Sequence, residues 1–260
     1  VISPHIWHSR LGHPGDVILS SLRSSNLIEC NKARNNVCHS CPLGKLIKLP
    51  FYDSLSTTTM PFDIVHSDLW TSPVLSSSGH RYYVLFLDNY TNFLWTFPIK
   101  TKSQVYNCFL SFRTFIRTQF EKEIKTFQCD NGREFDNGPF HKFCEQNGML
   151  FRFSCLHTSP QNGKAERKIK SINYIVRTLL AHASMPPSYW HHALAMATYL
   201  HNILPSKILA YKAPTQILYQ KNPSYSHLRV FGCLCFPLFP STQIHKLQSR
   251  STLCVFLGYR

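Results

Sequence analysis

The stretch Tyr82-Tyr83-Val84-Leu85-Phe86-Leu87-Asp88-Asn89-Tyr90-Thr91-Asn92-Phe93-Leu94-Trp95-Thr96-Phe97-Pro98-Ile99 decides the fold class. Residues 82–87 and 93–99 are aromatic and β-branched runs. Asp88-Asn89-Tyr90-Thr91-Asn92 between them is a turn signal, so the stretch predicts a β-hairpin. Upstream, residues 62–66 read as a short strand. Downstream, Val105, Phe109, Phe112, Ile116 and Phe120 recur at the three-to-four-residue spacing of one helix face. A strand over 124–129, a short helix over 139–147, a strand over 149–154, a long helix over 165–183 and a second apolar helix over 189–204 complete the series. The order βββαβαβα predicts an α/β layer architecture, a mixed sheet with flanking helices.

The chain has 260 residues, 43% hydrophobic and 13% aromatic, enough to bury a core. Its 28 Lys and Arg against 13 Asp and Glu give a net charge of +15. That excess implies a polyanionic partner, with nucleic acid first and an anionic membrane surface as the rival. No apolar run approaches the ~20 residues of a spanning helix, which argues against a membrane protein. The opening Val1-Ile2-Ser3-Pro4 lacks the regions of a secretory leader and an initiator Met, so the chain reads as part of something longer. Of 10 cysteines only Cys38 and Cys41 form a close pair. The others sit mostly in apolar runs and are expected to be buried reduced thiols of an intracellular protein. Pattern divides the chain into four parts. Residues 1–53 are rich in His, Cys and polar turns, 54–61 form a linker, 62–213 hold the strand–helix series, and 214–260 hold short β-prone pieces broken by proline.

Acidic residues are few, seven Asp and six Glu, so each is informative. Asp68 follows the first strand, Asp130 follows the 124–129 strand and Glu166 opens the long helix. Two strand-end aspartates and a helix glutamate can meet at one sheet edge. Such hard oxygen ligands suit a Mg²⁺ or Mn²⁺ pair, which can serve phosphoryl transfer. The 35 residues between Asp130 and Glu166 are weak support alone. A bare spacing of this kind arises with about one chance in six. Ordinary turn aspartates and a helix N-terminal glutamate are the plain alternative. On the long helix, Ala165, Ile169, Ile172, Val176, Leu179 and Ala183 form the expected buried seam. Glu166, Lys170, Asn173 and Arg177 stack on another face, with Lys164, Arg167 and Lys168 nearby. This basic stripe fits contact with a DNA backbone, and a solvated Glu166–Lys170 pair is the other reading.

Three blocks carry a resemblance: Phe62-Asp63-Ile64-Val65-His66-Ser67-Asp68, Cys129-Asp130-Asn131-Gly132-Arg133-Glu134-Phe135 and Ser159-Pro160-Gln161-Asn162-Gly163-Lys164-Ala165-Glu166-Arg167. They resemble, in order, the signature blocks of copia-type integrases. So do Arg229-Val230-Phe231-Gly232-Cys233 and Val255-Phe256-Leu257-Gly258-Tyr259. The resemblance implies an RNase H-like core with Asp68, Asp130 and Glu166 as the catalytic triad holding magnesium or manganese. It also implies DNA-end contacts at Lys170 and Asn162. With the helix stripe, the expected DNA-binding set is Asn162, Lys164, Arg167, Lys170, Asn173 and Arg177. Arg133 departs from the family, which more often has Gly there.

Upstream, His8 and His13 are separated by four residues and Cys38 and Cys41 by two, with 24 residues between the pairs. Two His and two Cys make a closed tetrahedral zinc site, which staples a segment too small for its own core. Trp7-His8-Ser9-Arg10-Leu11-Gly12-His13-Pro14 with Cys38-His39-Ser40-Cys41 resembles the module preceding the integrase core in copia elements. A redox CxxC beside surface histidines is the competing reading. His5 and His39 read as bystanders.

Residues 214–260 read as a linker followed by a segment, 225–260, that resembles a small SH3-like β-barrel, with strands over 228–231, 233–238 and 253–257. Their basic residues Arg229, His245, Lys246 and Arg250 fit DNA contact and edge-strand protection equally. The resemblance implies an integrase that trims the 3′ ends of element DNA and joins them to host double-stranded DNA. It implies a homo-multimer acting in the nucleus after a cytoplasmic particle stage. A catalytically silent nucleic-acid-binding relic and a nuclease that cuts without joining are the alternatives.

Overall fold

The computed structural model describes residues 3–31, 38–41, 58–153, 163–237 and 251–259. The chain divides into two compact units, Val1–Ser56 and Thr57–Arg260. The first holds two short helices, α1 (Pro4–Arg10) and α2 (Asp16–Ser24). Pro4 stands at the first helical position of α1, where its fixed φ is pre-set for a helix. Gly12 and His13 follow α1 with φ of 73° and 61°, which turn the chain. Among the described residues of this unit, Ile28 is the one buried hydrophobic side chain, while Val17, Ile18 and Leu27 are exposed.

The second unit runs β1 (Ile64–Thr71), β2 (Tyr82–Asp88), β3 (Leu94–Ile99), α3 (Val105–Phe120), β4 (Thr126–Cys129), α4 (Gly138–Gln146), β5 (Leu150–Phe153), α5 (Gly163–His182), α6 (Trp190–Ile203) and α7 (Pro214–Tyr219). The sheet order is β3-β2-β1-β4-β5. The β1–β2 and β2–β3 pairs are antiparallel, and the β1–β4 and β4–β5 pairs are parallel. The mixed five-stranded sheet with flanking helices is the expected one, in the expected order. Asp88 holds the hairpin turn. Its carboxylate accepts from the Thr91 amide (2.8 Å), the Thr91 hydroxyl (2.6 Å) and the Phe62 amide (2.8 Å).

Period-two alternation sorts the strand side chains into two layers. Val65, Val84, Phe86, Phe127 and Cys129 pack with Val105, Phe109, Phe112 and Ile116 of α3 and with Phe140 and Cys144 of α4. Tyr83, Leu85, Leu87 and Leu94 pack with Ala165, Ile169, Ile172 and Val176 of α5 and with Trp190, Ala193 and Leu194 of α6. The seam of α5 ends on buried Leu180, with Leu179 only partly buried, because a 3.6-residue turn drifts off a fixed 3–4 spacing.

One strand boundary corrects the sequence expectation. The first strand does not stop at residue 66. It continues to Thr71, because residues 68–71 pair with β2 as far as Thr71↔Tyr82. Asp68 therefore lies inside β1. In the C-terminal part, the described residues do not by themselves make up the expected SH3-like β-barrel. They show only a two-stranded ladder, β6 (Leu234–Cys235) with β7 (Cys254–Val255), and residues 238–250 lie outside the described residues. The flanking side chains cover the core. Phe231 is buried against the α5 and α6 layer, with Leu257 and Tyr259 packed beside it. Gly232, at φ 83°, approaches so closely that a Cβ there would lie 2.3 Å from the Ala183 Cβ. Among the described residues no helix is long and apolar enough to cross a membrane.

Candidate active site and metal centre

β1 lies between β2 and β4, with its alternate side chains facing opposite layers. Trp70 packs in the α5 and α6 layer, so Asp68 and His66, two and four residues earlier, face the same way. On β4, Phe127 and Cys129 face the other layer, so Asp130 also points toward α5. The parallel register pairs His66 with Gln128. Asp68 and Asp130 each stand two residues beyond that pair, which sets them side by side where the β1–β4 ladder ends.

The carboxylates influence one another. Burial, together with the neighbouring Asp130 and smaller contributions from Glu166 and Glu134, pushes Asp68 up to about 7. The Leu69 amide, 2.8 Å from Asp68 Oδ1, opposes them. Burial also raises Asp130, Glu134 and Glu166 add to it, and the Gly132 amide at 3.2 Å and Lys102 oppose it. Glu134 pairs with Lys102 at 3.2 Å. A Cβ on Gly132 would stand 2.8 Å from the Glu134 carboxyl carbon and 3.1 Å from Asp130 Oδ1, so a side chain there would push the Glu134 carboxylate aside. Sequence reasoning gave Glu134 no role. Its position four residues after Asp130, across a glycine, was the available signal. Asp68 and Asp130, crowded, half-buried and pushed up in pKa, are donors that a hard divalent cation would relieve.

Helix α5 brings Glu166 to this edge in its first turn, half-buried. The other members of the expected DNA-binding set divide. Arg167, Lys170 and Arg177 are exposed. Lys164 turns inward. Its Nζ donates to Asn89 Oδ1 (2.7 Å) and to the Asn89 carbonyl (2.9 Å), and burial lowers its pKa to about 8. Asn173 accepts a hydrogen bond from the Tyr83 hydroxyl at 3.0 Å. Asn162 lies outside the described residues.

In the first unit, His8, His13, Cys38 and Cys41 bring four ligand atoms within 4.8 Å of one another. His8 Nε2 is 3.1 Å from Cys41 Sγ and 3.0 Å from His13 Nδ1, and Cys38 Sγ is 3.3 Å from His13 Nδ1. His8 Nδ1–H donates to the Pro14 carbonyl at 3.1 Å, which leaves the Nε2 lone pair for a ligand. A hydrogen bond from the Cys41 amide lowers the Cys38 thiol to about 6, toward the thiolate that binds metal. The donor atoms stand close to the roughly 3.4–3.8 Å edges that tetrahedral zinc bonds would give, so the residues fit zinc. Among the described residues the carboxylates are not drawn into so tight a set.

Residues 58–159 match the Integrase core domain family, and residues 3–46 match the GAG-pre-integrase domain family. The chain is 42% identical over 255 residues to the Retrovirus-related Pol polyprotein from transposon RE1 of Arabidopsis thaliana, covering 97% of this chain and 17% of that one. It is 34% identical over 260 residues to the Retrovirus-related Pol polyprotein from transposon TNT 1-94 of Nicotiana tabacum, covering 99% of this chain and 20% of that one. The chain thus spans a fifth or less of these relatives. In fold it is similar to a chain of the simian T-cell lymphotropic virus intasome in complex with PP2A regulatory subunit B56 gamma. The TM-score is 0.58 at 16% identity, over 96% of this chain and 86% of that one. A pre-integrase domain followed by an integrase core, in the order found in these polyproteins, places the chain in its family: it belongs to the integrase region of copia-type retrotransposon Pol polyproteins.

Proposed function

We propose that this region carries out both steps of DNA integration, 3′-end processing and strand transfer, on Asp68, Asp130 and Glu166. The observation that carries this reading is the matched placement of Asp68 and Asp130 beyond the His66↔Gln128 pair, with Glu166 close enough to act on both. In the first step water attacks a phosphorus near the DNA end, and the bond to the 3′ oxygen breaks, leaving a 3′-hydroxyl. In the second that hydroxyl attacks a phosphorus of target DNA, a new ester forms and the target's own 3′ oxygen leaves. No protein atom joins the chain of bonds. Magnesium or manganese ions held by the three carboxylates would supply nucleophile activation and charge stabilisation at the leaving oxygen.

The protein's own residues do the rest. Asp68, Asp130 and Glu166 converge as anionic oxygen donors. Arg167, Lys170 and Arg177 line the exposed side of α5, where they neutralise phosphates and set the DNA's position without reading its sequence. The His8–His13–Cys38–Cys41 set holds zinc and orders the first unit. Two element ends and a target must be held at once, so the working form is a homo-multimer on double-stranded DNA, and its place of action is the nucleus.

A strand-transfer assay tests this. It uses an oligonucleotide carrying the element's terminal sequence, a plasmid target and Mg²⁺ or Mn²⁺. The wild-type protein joins the two, and Glu166→Gln does not. Cutting without joining would replace the reading with a nuclease. Inactivity of folded, zinc-loaded wild type would replace it with a silent nucleic-acid-binding relic.

A further inference from the structure

Lys164 stands two residues before Glu166, and His66 two residues before Asp68. Both reach one acceptor, Asn89, in the turn between β2 and β3. Lys164 Nζ donates to Asn89 Oδ1 at 2.7 Å and to its carbonyl at 2.9 Å, and His66 Nε2–H donates to the same Oδ1 at 3.0 Å. Asn89 is itself fixed. Its amide donates to the Ile64 carbonyl at 2.9 Å, and its Nδ2 donates to Thr58 Oγ1 at 3.0 Å. One side-chain amide therefore joins β1, the hairpin turn and the first turn of α5. A second tie, from the Tyr83 hydroxyl to Asn173, binds α5 to β2 farther along the helix.

Glu166 lies between the two ties. A helix pinned at two points along its length can neither slide nor roll over the sheet. The height of Glu166 relative to Asp68 is thus set by bonds that touch neither carboxylate. Burying an ammonium group is costly unless it is hydrogen-bonded, and the two bonds to Asn89 meet that need for Lys164. A lysine serving DNA from the surface would need no such burial.

We propose that Lys164 is a positioning residue: through Asn89 and His66 it fixes the start of α5 so that Glu166 meets Asp68 and Asp130 around a divalent cation. The proposal rests on the carboxylate reading above and gives Lys164 a task inside the protein rather than on DNA.

The test is a Mn²⁺ titration followed by electron paramagnetic resonance, on the full zinc-loaded chain without DNA. It compares wild type, Glu166→Gln, Lys164→Met, Asn89→Leu and Asn89→Asp. Lys164→Met and Asn89→Leu should each weaken Mn²⁺ binding by about tenfold or more, as loss of a ligand's outer partners does. Asn89→Asp, which keeps an acceptor for Lys164, should stay close to wild type. DNA affinity of Lys164→Met without divalent metal should be unchanged. Wild-type Mn²⁺ affinity in a folded Lys164→Met overturns the proposal, and weakened DNA binding at unchanged Mn²⁺ affinity would place Lys164 on the DNA. Should Lys164→Met fail to fold, the Asn89 pair decides, and equal Mn²⁺ affinity in that pair overturns the proposal. Failure of all three variants to fold assigns these bonds to stability alone and also overturns it. Equal Mn²⁺ binding by wild type and Glu166→Gln is a separate outcome, in which the carboxylate reading itself fails.

Discussion

The two units solve opposite problems. In the first, one hydrophobic side chain is buried among the described residues, yet four metal-ligand atoms stand assembled. In the second, two aromatic-rich layers pack on both faces of a sheet, and the acids at its edge repel one another. Among the described residues of the first unit, a His and Cys group stands where little apolar side chain is buried. In the second the core is strong enough to hold together acids that repel one another. A metal can be the cause of a fold or its beneficiary, and buried apolar surface tells which.

The largest expected effect breaks the comparison at its first term. A strong zinc chelator, or Cys38→Ser, should unfold residues 1–53 and leave the second unit folded. Circular dichroism with zinc quantification reads this, and full zinc content in folded Cys38→Ser would remove that ligand from the set. The converse is Phe86→Ala. Phe86 is fully buried and stacks on Phe112 with ring centroids 4.6 Å apart, so truncation should cost the second unit about 3–5 kcal/mol. Bound zinc should be unaffected, as a denaturant melt with zinc quantification would show.

A third effect separates charge from packing within the second unit. Burial lowers His201 to about 4, and its Nε2–H donates to the Asn92 carbonyl at 3.2 Å. The unfolded chain takes up a proton near pH 6.5, whereas the folded chain resists until about 4. Wild type should therefore lose stability across that window, relative to a His201→Gln variant that cannot titrate, by up to about 3 kcal/mol. Paired melts from pH 7.5 to 4 would check it, and a pH-independent difference would show that the imidazole is not buried. The smallest effect has the opposite sign. Asp68→Asn removes a repelled charge, so without divalent metal it should stabilise the second unit by about 1 kcal/mol at pH 8 while abolishing activity. The gain should fade as pH falls below about 7, where Asp68 gains its own proton. A loss of stability at pH 8 would show that the acids do not repel.

Legibility in the sequence followed the range of the forces involved. The hairpin at Asp88 and the face of α3 were readable because each is set by alternation or period within one segment. The grouping of His8, His13, Cys38 and Cys41 was readable because residue type and short spacing carry it. What escaped depended on partners far away in the chain. β1 runs on to Thr71 because β2 pairs with it, which no local pattern in residues 67–71 announces. Lys164 reads as one more cation in a basic stripe until Asn89, from a turn far upstream, is seen to hold it. The close approach of Gly232 to Ala183 likewise has no local signal in the C-terminal segment.

The His66↔Gln128 pairing has one more consequence. Asp68 and Asp130 meet because both sit on the same parity of adjacent strands, counted from a shared pair. The loops and helix between them can lengthen or shorten over evolution without moving either acid. One residue inserted between Thr126 and Asp130, by contrast, would turn Asp130 through the sheet into the aromatic layer. The site is addressed by odd and even steps along two short strands, and a single miscount there is more damaging than a longer insertion in the loops between them.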